Sequence, residues 1–208
     1  MLKSQEGLHI AIIIDGNRRF AKRLMLEPWK GHGFGRRKVE VLLEHARDLG
    51  VKELTFYALS IDNIRNRPKE ELVFLFKIFE ETFRELDEKK LMNEKVKIRF
   101  IGNLDLLPAH LKESCVRLEK ITQENNNFII NFAIAYGGRQ ELIRAIKKII
   151  DEKIDKNKID EKVIASHLYL NDEPDMVIRT GGERRTSNFL PWQTIYSEWF
   201  LQLPFLIE

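Results

Sequence analysis

The sequence predicts one α/β domain over residues 1–208, built on a central, mostly parallel sheet of six strands flanked by helices. Short apolar runs with the length of buried strands alternate with longer segments whose apolar residues recur at helical spacing. Polar turns containing Gly, Asn or Asp follow several of these runs, and helices between strands are typical of a parallel sheet. With 208 residues, 43% of them hydrophobic, the chain can form one sizeable core.

The first apolar run, residues 10–14, reads IAIII and passes directly into Asp15-Gly16-Asn17. A run of this length that ends in a turn is typical of a buried strand in the middle of a parallel sheet. RRFAKRLM at 18–25 then predicts a helix. The turn gathers backbone N–H groups, two guanidinium groups and a carboxylate, which suits a diphosphate and a metal ion. An ordinary βα turn with solvated arginines is the alternative.

The middle of the chain predicts further strands and helices in alternation. Residues 36–49 have helical spacing and end before Gly50, a common C-cap residue. Pro68 and the acidic pair Glu70-Glu71 predict the start of a long helix over 69–90, which contains several Phe and Leu residues. The remaining predicted strands are 51–59, 96–102, 128–135, 175–179 and a sixth within 195–200, and the remaining predicted helices are 111–125, 140–153 and a short one near 162–170.

Polar residues follow four of the predicted strands. In open parallel sheets, ligands bind at the carboxyl ends of the strands. Arginine side chains at these ends can bind phosphate oxygens, and Asp15 and Glu198 are hard oxygen ligands suited to Mg²⁺. The segment 136–139 (YGGR) could bind a ligand or be structural. The candidate phosphate-binding arginines are Arg18, Arg19, Arg179 and Arg185.

Charge, cysteine content and missing motifs exclude several classes of protein. The 35 Lys and Arg residues are interleaved with 32 Asp and Glu residues, so composition does not indicate nucleic-acid binding. The one cysteine, Cys115, fits a reducing compartment. The sequence has no P-loop or dinucleotide-binding motif, no signal pattern and no apolar run of about eighteen residues. We expect a cytoplasmic protein, with peripheral association at a membrane surface.

The apolar residues of 69–90 have two interpretations. They can simply fill the core, which is the commoner fate of large apolar side chains. Together with two anion sites, they can instead line an apolar tunnel for a substrate that has a charged head and an apolar tail. The functional interpretation requires that the tunnel open to the anion sites.

Six segments, in order, read IIIDGNRRFAKR at 12–23, GHGFG at 31–35, FYALSIDN at 56–63, NRPKEE at 66–71, NFAIAYGGRQEL at 131–142 and IRTGGERRTSNFLPWQTIYSEW at 178–199. Together they resemble the cis-prenyltransferase family of undecaprenyl and polyprenyl diphosphate synthases. The resemblance implies condensation of isopentenyl diphosphate onto an allylic diphosphate, farnesyl or geranylgeranyl diphosphate, with Mg²⁺. Each new double bond is cis, and the product is a polyprenyl diphosphate for a glycosyl carrier lipid.

The resemblance also implies roles for individual residues. Asp15 holds Mg²⁺ on a substrate diphosphate, and Ser60 and Asn63 assist proton removal, with Arg67 close by. Glu198 contributes to metal binding and dimer geometry. The allylic diphosphate is received by Gly16, Asn17, Arg18 and Arg19, with His32 nearby. Isopentenyl diphosphate is held by Arg179, Arg185 and Ser187.

The resemblance predicts a homodimer formed around 195–200 that meets the membrane transiently through its product. Relatives continue beyond the equivalent of Glu208 into a segment with an Arg-x-Gly motif that completes the partner's site. The alternative is therefore a binding or scaffold subunit of a heteromeric synthase, in which another subunit supplies that motif. A phosphohydrolase with Asp15 as nucleophile is disfavoured, because Asn17 stands where a second acid would relay a proton.

Overall fold

The sheet has six strands, and every neighbouring pair is parallel. The computed structural model describes residues 7–23, 25, 27 and 31–203. The order across the sheet is β3-β4-β2-β1-β5-β6, so the predicted α/β fold is confirmed and the sheet is wholly parallel. The strands are β1 (His9–Ile13), β2 (Glu53–Ser60), β3 (Val96–Ile101), β4 (Phe128–Tyr136), β5 (Met176–Thr180) and β6 (Glu198–Leu203).

Helices connect the strands from β1 to β5 and differ from prediction at several places. The predicted helix 69–90 is interrupted because the Asp87 side chain accepts a hydrogen bond from the Lys90 N–H group and caps a new helix. A short helix that the sequence did not predict follows β2. The helices are α1 (Asn17–Arg23), α2 (Gly31–Asp48), α3 (Ile61–Asn66), α4 (Lys69–Glu85), α5 (Glu88–Asn93), α6 (Ala109–Thr122), α7 (Gly138–Asp151) and α8 (Glu161–Ser166).

Apolar side chains pack on both faces of the sheet. On one face, aromatic residues of β2, β3 and β4 pack with Phe83 of α4 and with Leu111 and Leu118 of α6. On the other face, Tyr57 stacks on Phe189 with ring centroids 4.6 Å apart. Burial of both faces explains why the central strands read as nearly continuous apolar runs.

All strand carboxyl ends lie at one end of the sheet, because the strands are parallel. This places the turn after β1, Ser60 at the end of β2 and Thr180 at the end of β5 on the same side of the molecule. Among the described residues, no helix is both long and apolar enough to cross a bilayer.

Candidate active site

The turn after β1 and the turn after β5 pack tightly against each other. The Thr180 hydroxyl donates a hydrogen bond to the Asp15 carbonyl oxygen at 3.0 Å. Gly181 has a φ of +84°, and a Cβ added there would lie 2.8 Å from that carbonyl oxygen. A larger residue at 181 would force the turns apart. Because β1 and β5 are adjacent, the fold brings Asp15 beside Arg179, 164 positions away.

The Asp15 carboxylate is held by two arginines and one backbone N–H group. Arg179 Nη2 donates to Oδ2 at 2.7 Å, and Arg19 Nη2 lies 3.3 Å from Oδ1. The Gly16 N–H group donates to Oδ1 at 2.6 Å. Burial alone would raise the pKa of Asp15, but these hydrogen bonds and positive charges outweigh it and hold the pKa below its usual value. Asp15 is therefore ionised near neutral pH, as a metal ligand must be.

Arg179 and Glu183 connect this turn to the loop after β5. The Arg179 side chain is 4% exposed, and Nη1 donates to Ser187 Oγ at 2.8 Å and to the Arg185 carbonyl oxygen. The two carboxylate oxygens of Glu183 lie 3.3 Å from Arg19 and 2.7 Å from Arg185. Three of the arginines predicted to bind the two diphosphates, Arg19, Arg179 and Arg185, thus belong to one charged network, although they come from opposite ends of the sequence.

The segment after β4 anchors the loop that contains Ser187. The Gly138 N–H group donates to the Asn188 carbonyl oxygen at 2.9 Å, and the Arg139 N–H group donates to the Asn188 side-chain oxygen at 2.9 Å. A Cβ added at Gly138 would lie 2.0 Å from Pro191 Cδ, so the close approach requires glycine. These contacts give 136–139 a structural role, one of the two interpretations that the sequence left open.

A second charged cluster runs from the end of β2 to α4. Ser60 Oγ accepts a hydrogen bond from the Asn63 N–H group at 2.9 Å and caps α3. Arg67 donates to Asn63 Oδ1 at 3.1 Å and to Glu71 Oε1 at 2.9 Å. Arg18 lies 3.5 Å from the other oxygen of Glu71. Glu71 was predicted only as part of a helix start, although its position four residues after an arginine on a helical segment is a recognisable ion-pair spacing.

Both clusters line one cavity of ≈ 870 Å³. Its polar part includes Asp15 and Arg67, and its apolar part includes aromatic side chains from α4 and the sheet. Phe83 of α4 lines the cavity and also packs on Phe100 and Phe132, with ring centroids 4.9 Å and 5.8 Å away. The apolar side of α4 therefore contributes both to the core and to the wall of a cavity that reaches the charged residues.

Residues 13–205 match the prenyltransferase family model, which is described as "Putative undecaprenyl diphosphate synthase". The chain belongs to the undecaprenyl diphosphate synthase family. It is 46% identical, over 91% of its length and 72% of the relative's, to a tritrans,polycis-undecaprenyl-diphosphate synthase (geranylgeranyl-diphosphate specific) of Methanopyrus kandleri. An enzyme of the same name from Pyrococcus abyssi is 45% identical, over 92% of this chain and 75% of the relative.

Two solved structures of similar proteins agree with this family assignment. Lavandulyl diphosphate synthase of Lavandula x intermedia, in complex with dimethylallyl diphosphate, superposes with a TM-score of 0.89 at 34% identity, covering 96% of this chain and 88% of that one. A "probable undecaprenyl diphosphate synthase" of Campylobacter jejuni gives a TM-score of 0.81 at 29% identity, covering 98% and 89%. The fold of the family therefore extends over nearly the whole chain.

A magnesium site in this synthase-family chain would rest on few protein ligands. Within the described ranges, no group of three or more His, Cys, Asp or Glu side chains could hold a metal. Asp15 offers a partly exposed, ionised carboxylate at the polar part of the cavity. Mg²⁺ usually takes one or two carboxylates together with substrate phosphates and water, so the donor set fits Mg²⁺ held between Asp15 and a diphosphate.

Among the remaining predicted site residues, two have side chains that the structure does not describe and one lies away from this network. Asn17 begins α1 and His32 lies in the first turn of α2, but both side chains lie outside the described residues. Glu198 is the first residue of β6 and pairs with Met176. Asp15 follows β1 at the other end of β5, roughly 13 Å away along the strand. Within one chain the two carboxylates do not meet, and a metal role for Glu198 remains a prediction that requires a second copy.

Proposed function

We propose that the chain condenses isopentenyl diphosphate onto geranylgeranyl diphosphate with Mg²⁺ and makes a cis-polyprenyl diphosphate. One observation supports this most: two arginine clusters and the ionised carboxylate of Asp15 line the same cavity as the aromatic side chains of α4. That cavity matches substrates with a charged head and an apolar chain. The starter is proposed because the similar synthases are named geranylgeranyl-diphosphate specific. Farnesyl diphosphate is the alternative starter.

The chemistry requires that a C–O bond to the allylic diphosphate break while its electrons leave with the diphosphate. Guanidinium groups already in place can stabilise the charge that develops on the departing oxygens, and no protein nucleophile is needed. Arg18, Arg19 and Arg67 are the described arginines placed for this role. Mg²⁺, when bound, supplies further positive charge to the diphosphate. Because Asp15 is ionised, it can hold that ion near the reacting bond.

The second substrate is proposed to bind along the loop after β5. Arg185 has an exposed guanidinium beside Glu183, and Ser187 and Arg179 lie next to it. Two diphosphates held on either side of Asp15 would align the alkene of one substrate with the cation formed from the other, which is the condition for a fast unimolecular step. Ser60 and Asn63 lie in the same cavity, and their assistance in proton removal stays a prediction.

Elongation by the purified protein tests this proposal. Geranylgeranyl diphosphate, labelled isopentenyl diphosphate and Mg²⁺ should yield labelled products that grow by five carbons. Chelation of Mg²⁺ should stop growth, and readdition should restore it. Release of free phosphate without elongation would contradict the prenyltransferase and favour a phosphohydrolase.

Assembly is proposed as a homodimer formed by the segment before and within β6. Ile195 is 70% exposed, Tyr196 84% and Phe200 43%, which is unusual for three large side chains so close in sequence. Glu198 lies among them, so a second copy is the means by which it could reach a metal site. Light scattering should give twice the chain mass, and Tyr196→Lys should reduce it. A monomer that elongates only when another subunit is added would instead indicate a heteromeric synthase.

A further inference from the structure

Glu71 is a fully buried carboxylate beside the cavity. It lies in the first turn of α4, and its side chain has 0% exposure. Each of its oxygens faces a different arginine: Arg67 Nη1 donates to Oε1 at 2.9 Å, and Arg18 Nη2 lies 3.5 Å from Oε2. Both arginines line the cavity. Glu71 therefore lies behind two cationic side chains that face the proposed substrate.

A carboxylate without exposure is unfavourable unless it is paired, because it has lost its hydration. Here it is paired with two guanidinium groups and lies at the amino end of a helix, where the peptide dipoles favour a negative charge. One negative charge against two positive charges leaves this group of three side chains with an excess of one positive charge. The pairing therefore fixes the arginines without cancelling their attraction for an anion.

The orientation of Arg67 is set from two directions. Nη1 is bonded to Glu71, while Nη2 donates to Asn63 Oδ1 at 3.1 Å. The guanidinium is planar, so two fixed nitrogens define the direction of the whole group. The Arg67 side chain is 17% exposed and the Arg18 side chain 47%, so Arg67 is the more enclosed of the two.

We propose that Glu71 is a positioning residue that holds Arg67 and Arg18 so that they bind the diphosphate of the allylic substrate. The proposal rests on the proposed function and names a residue that itself touches no substrate. A free arginine would have to lose side-chain freedom when the diphosphate binds, whereas an arginine held by Glu71 has lost it already. Glu71 thus acts on diphosphate affinity through the two arginines.

The first test compares Glu71→Gln with a matched control, Glu141→Gln. Glu141 is also buried, on α7, where it accepts hydrogen bonds from the Tyr136 hydroxyl and the Tyr169 N–H group. Calorimetry with inorganic diphosphate and Mg²⁺ gives affinity without turnover, and thermal melting gives stability. We expect Glu71→Gln to weaken diphosphate binding about 10-fold and to raise KM for geranylgeranyl diphosphate by a similar factor. Glu141→Gln should lower Tm and leave diphosphate affinity unchanged.

A double-mutant cycle separates positioning from an independent effect. If Glu71 acts mainly through Arg67, then Arg67→Ala with Glu71→Gln should bind diphosphate little more weakly than Arg67→Ala alone. Loss of diphosphate affinity in the double variant by the full product of the two single-variant losses would overturn the proposal. So would a Glu71→Gln protein that melts at a lower temperature but binds diphosphate within about twofold of wild type, since that result is purely structural.

A variant that keeps Glu71 covers the case in which Glu71→Gln does not fold. Arg67→Lys retains the charge but not the planar fork, so positioning predicts about 10-fold weaker diphosphate binding. Unchanged affinity in Arg67→Lys would overturn the proposal, because charge alone would then suffice. Failure of the wild type to elongate geranylgeranyl diphosphate with isopentenyl diphosphate refutes the proposed function. A wild type that elongates, with variants that bind diphosphate normally, refutes only the positioning role.

Discussion

The two ends of the sheet are both polar, but they are built in opposite ways. At the carboxyl end, Asp15 and Arg19 keep 29% and 42% of their side chains exposed and form ion pairs. At the amino end, a cluster of His9, Glu53, Thr55 and Asn131 is 0–7% exposed. Asn131 donates to Glu53 at 2.6 Å and to Thr55 at 2.8 Å, and His9 is 2.8 Å from the Thr55 hydroxyl. One end is open to solvent and charged, and the other is closed.

The pKa shifts of the titratable side chains also differ between the two ends of the sheet. Burial lowers the pKa of His9 to about 4, although Asp172 and Asp175 partly oppose it. Burial raises the pKa of Glu53, with the Asn131 hydrogen bond opposing it. Both shifts favour the neutral form, whereas the pKa of Asp15 is shifted in favour of its anion. Parallel strands thus provide a charged end that can receive diphosphates and a buried end whose hydrogen bonds hold the strands together.

The largest expected effect is at the charged end. Asp15→Ala should reduce elongation about 10³-fold, because the proposed metal ligand is lost where charge develops. Tm should change by only a few degrees, because the side chain is partly exposed. Elongation and thermal melting measure the two effects. Asp172→Asn, in an exposed pair with Arg99 at the closed end, is the control and should elongate normally. If Asp15→Ala kept wild-type elongation activity, the proposal that the carboxyl end of the sheet serves catalysis would be wrong.

At the closed end the expected loss is one of stability. Asn131→Ala removes two buried hydrogen bonds, one to Glu53 and one to Thr55, which should cost about 3 kcal/mol of unfolding free energy. The kcat of the folded fraction should stay near that of wild type. Urea unfolding and kcat at saturating substrate measure this. If kcat fell in parallel with stability, the roles of the two ends in catalysis and in stability would not be separate.

Acid should destabilise the closed end first. The pKa of His9 is about 4 in the folded chain and 6.5 ordinarily. Between these pH values the imidazole is protonated in the unfolded chain but neutral in the folded chain. The free energy of unfolding should therefore fall between pH 6.5 and 4, by up to about 3 kcal/mol. The corresponding contribution of Asp15, whose folded pKa is lowered, is lost only below the ordinary aspartate pKa of 3.8. Unfolding at several pH values should show a flatter profile for His9→Gln; an unchanged slope would contradict the assignment.

The smallest effect is expected away from both ends. Glu88 pairs with Arg117 on the surface, where both side chains are about half exposed. Glu88→Gln should change the free energy of unfolding by less than about 0.5 kcal/mol and leave elongation unchanged. A larger change in urea unfolding would show that surface pairs rival the closed-end cluster in their contribution to stability.

Much of the fold was predictable because its signals are local. Each of the six predicted strands is present within a few residues of its predicted position, since a buried parallel strand reads as an apolar run. The break at Asp87 was missed because helical spacing continues through it, while one side-chain cap decides the boundary. The start of α2 at Gly31 was missed as well, since a glycine-rich stretch has low intrinsic helix propensity and tertiary context overrides it.

The candidate site was predictable in part. Polar turns after apolar runs marked Asp15 and Arg179 as candidate site residues, and the two side chains are in contact in the structure. Glu71 and Glu183 went unassigned because their importance lies in which arginines they face. Glu198 resembles a family metal ligand in sequence, yet lies at the amino end of β6. The catalytic and binding roles assigned to individual residues stay predictions until the variants are measured.

By itself, the sequence determined the strands, most of the helices, the polar character of the strand ends and the family, because each depends on neighbouring residues or on matched segments. The tertiary structure decided the strand order, and with it the contact between Asp15 and Arg179 across 164 positions. It also decided that Glu71 is buried between two arginines while Asp15 stays partly exposed. Such contacts depend on how distant elements pack, and burial sets whether a charged side chain serves binding or stability.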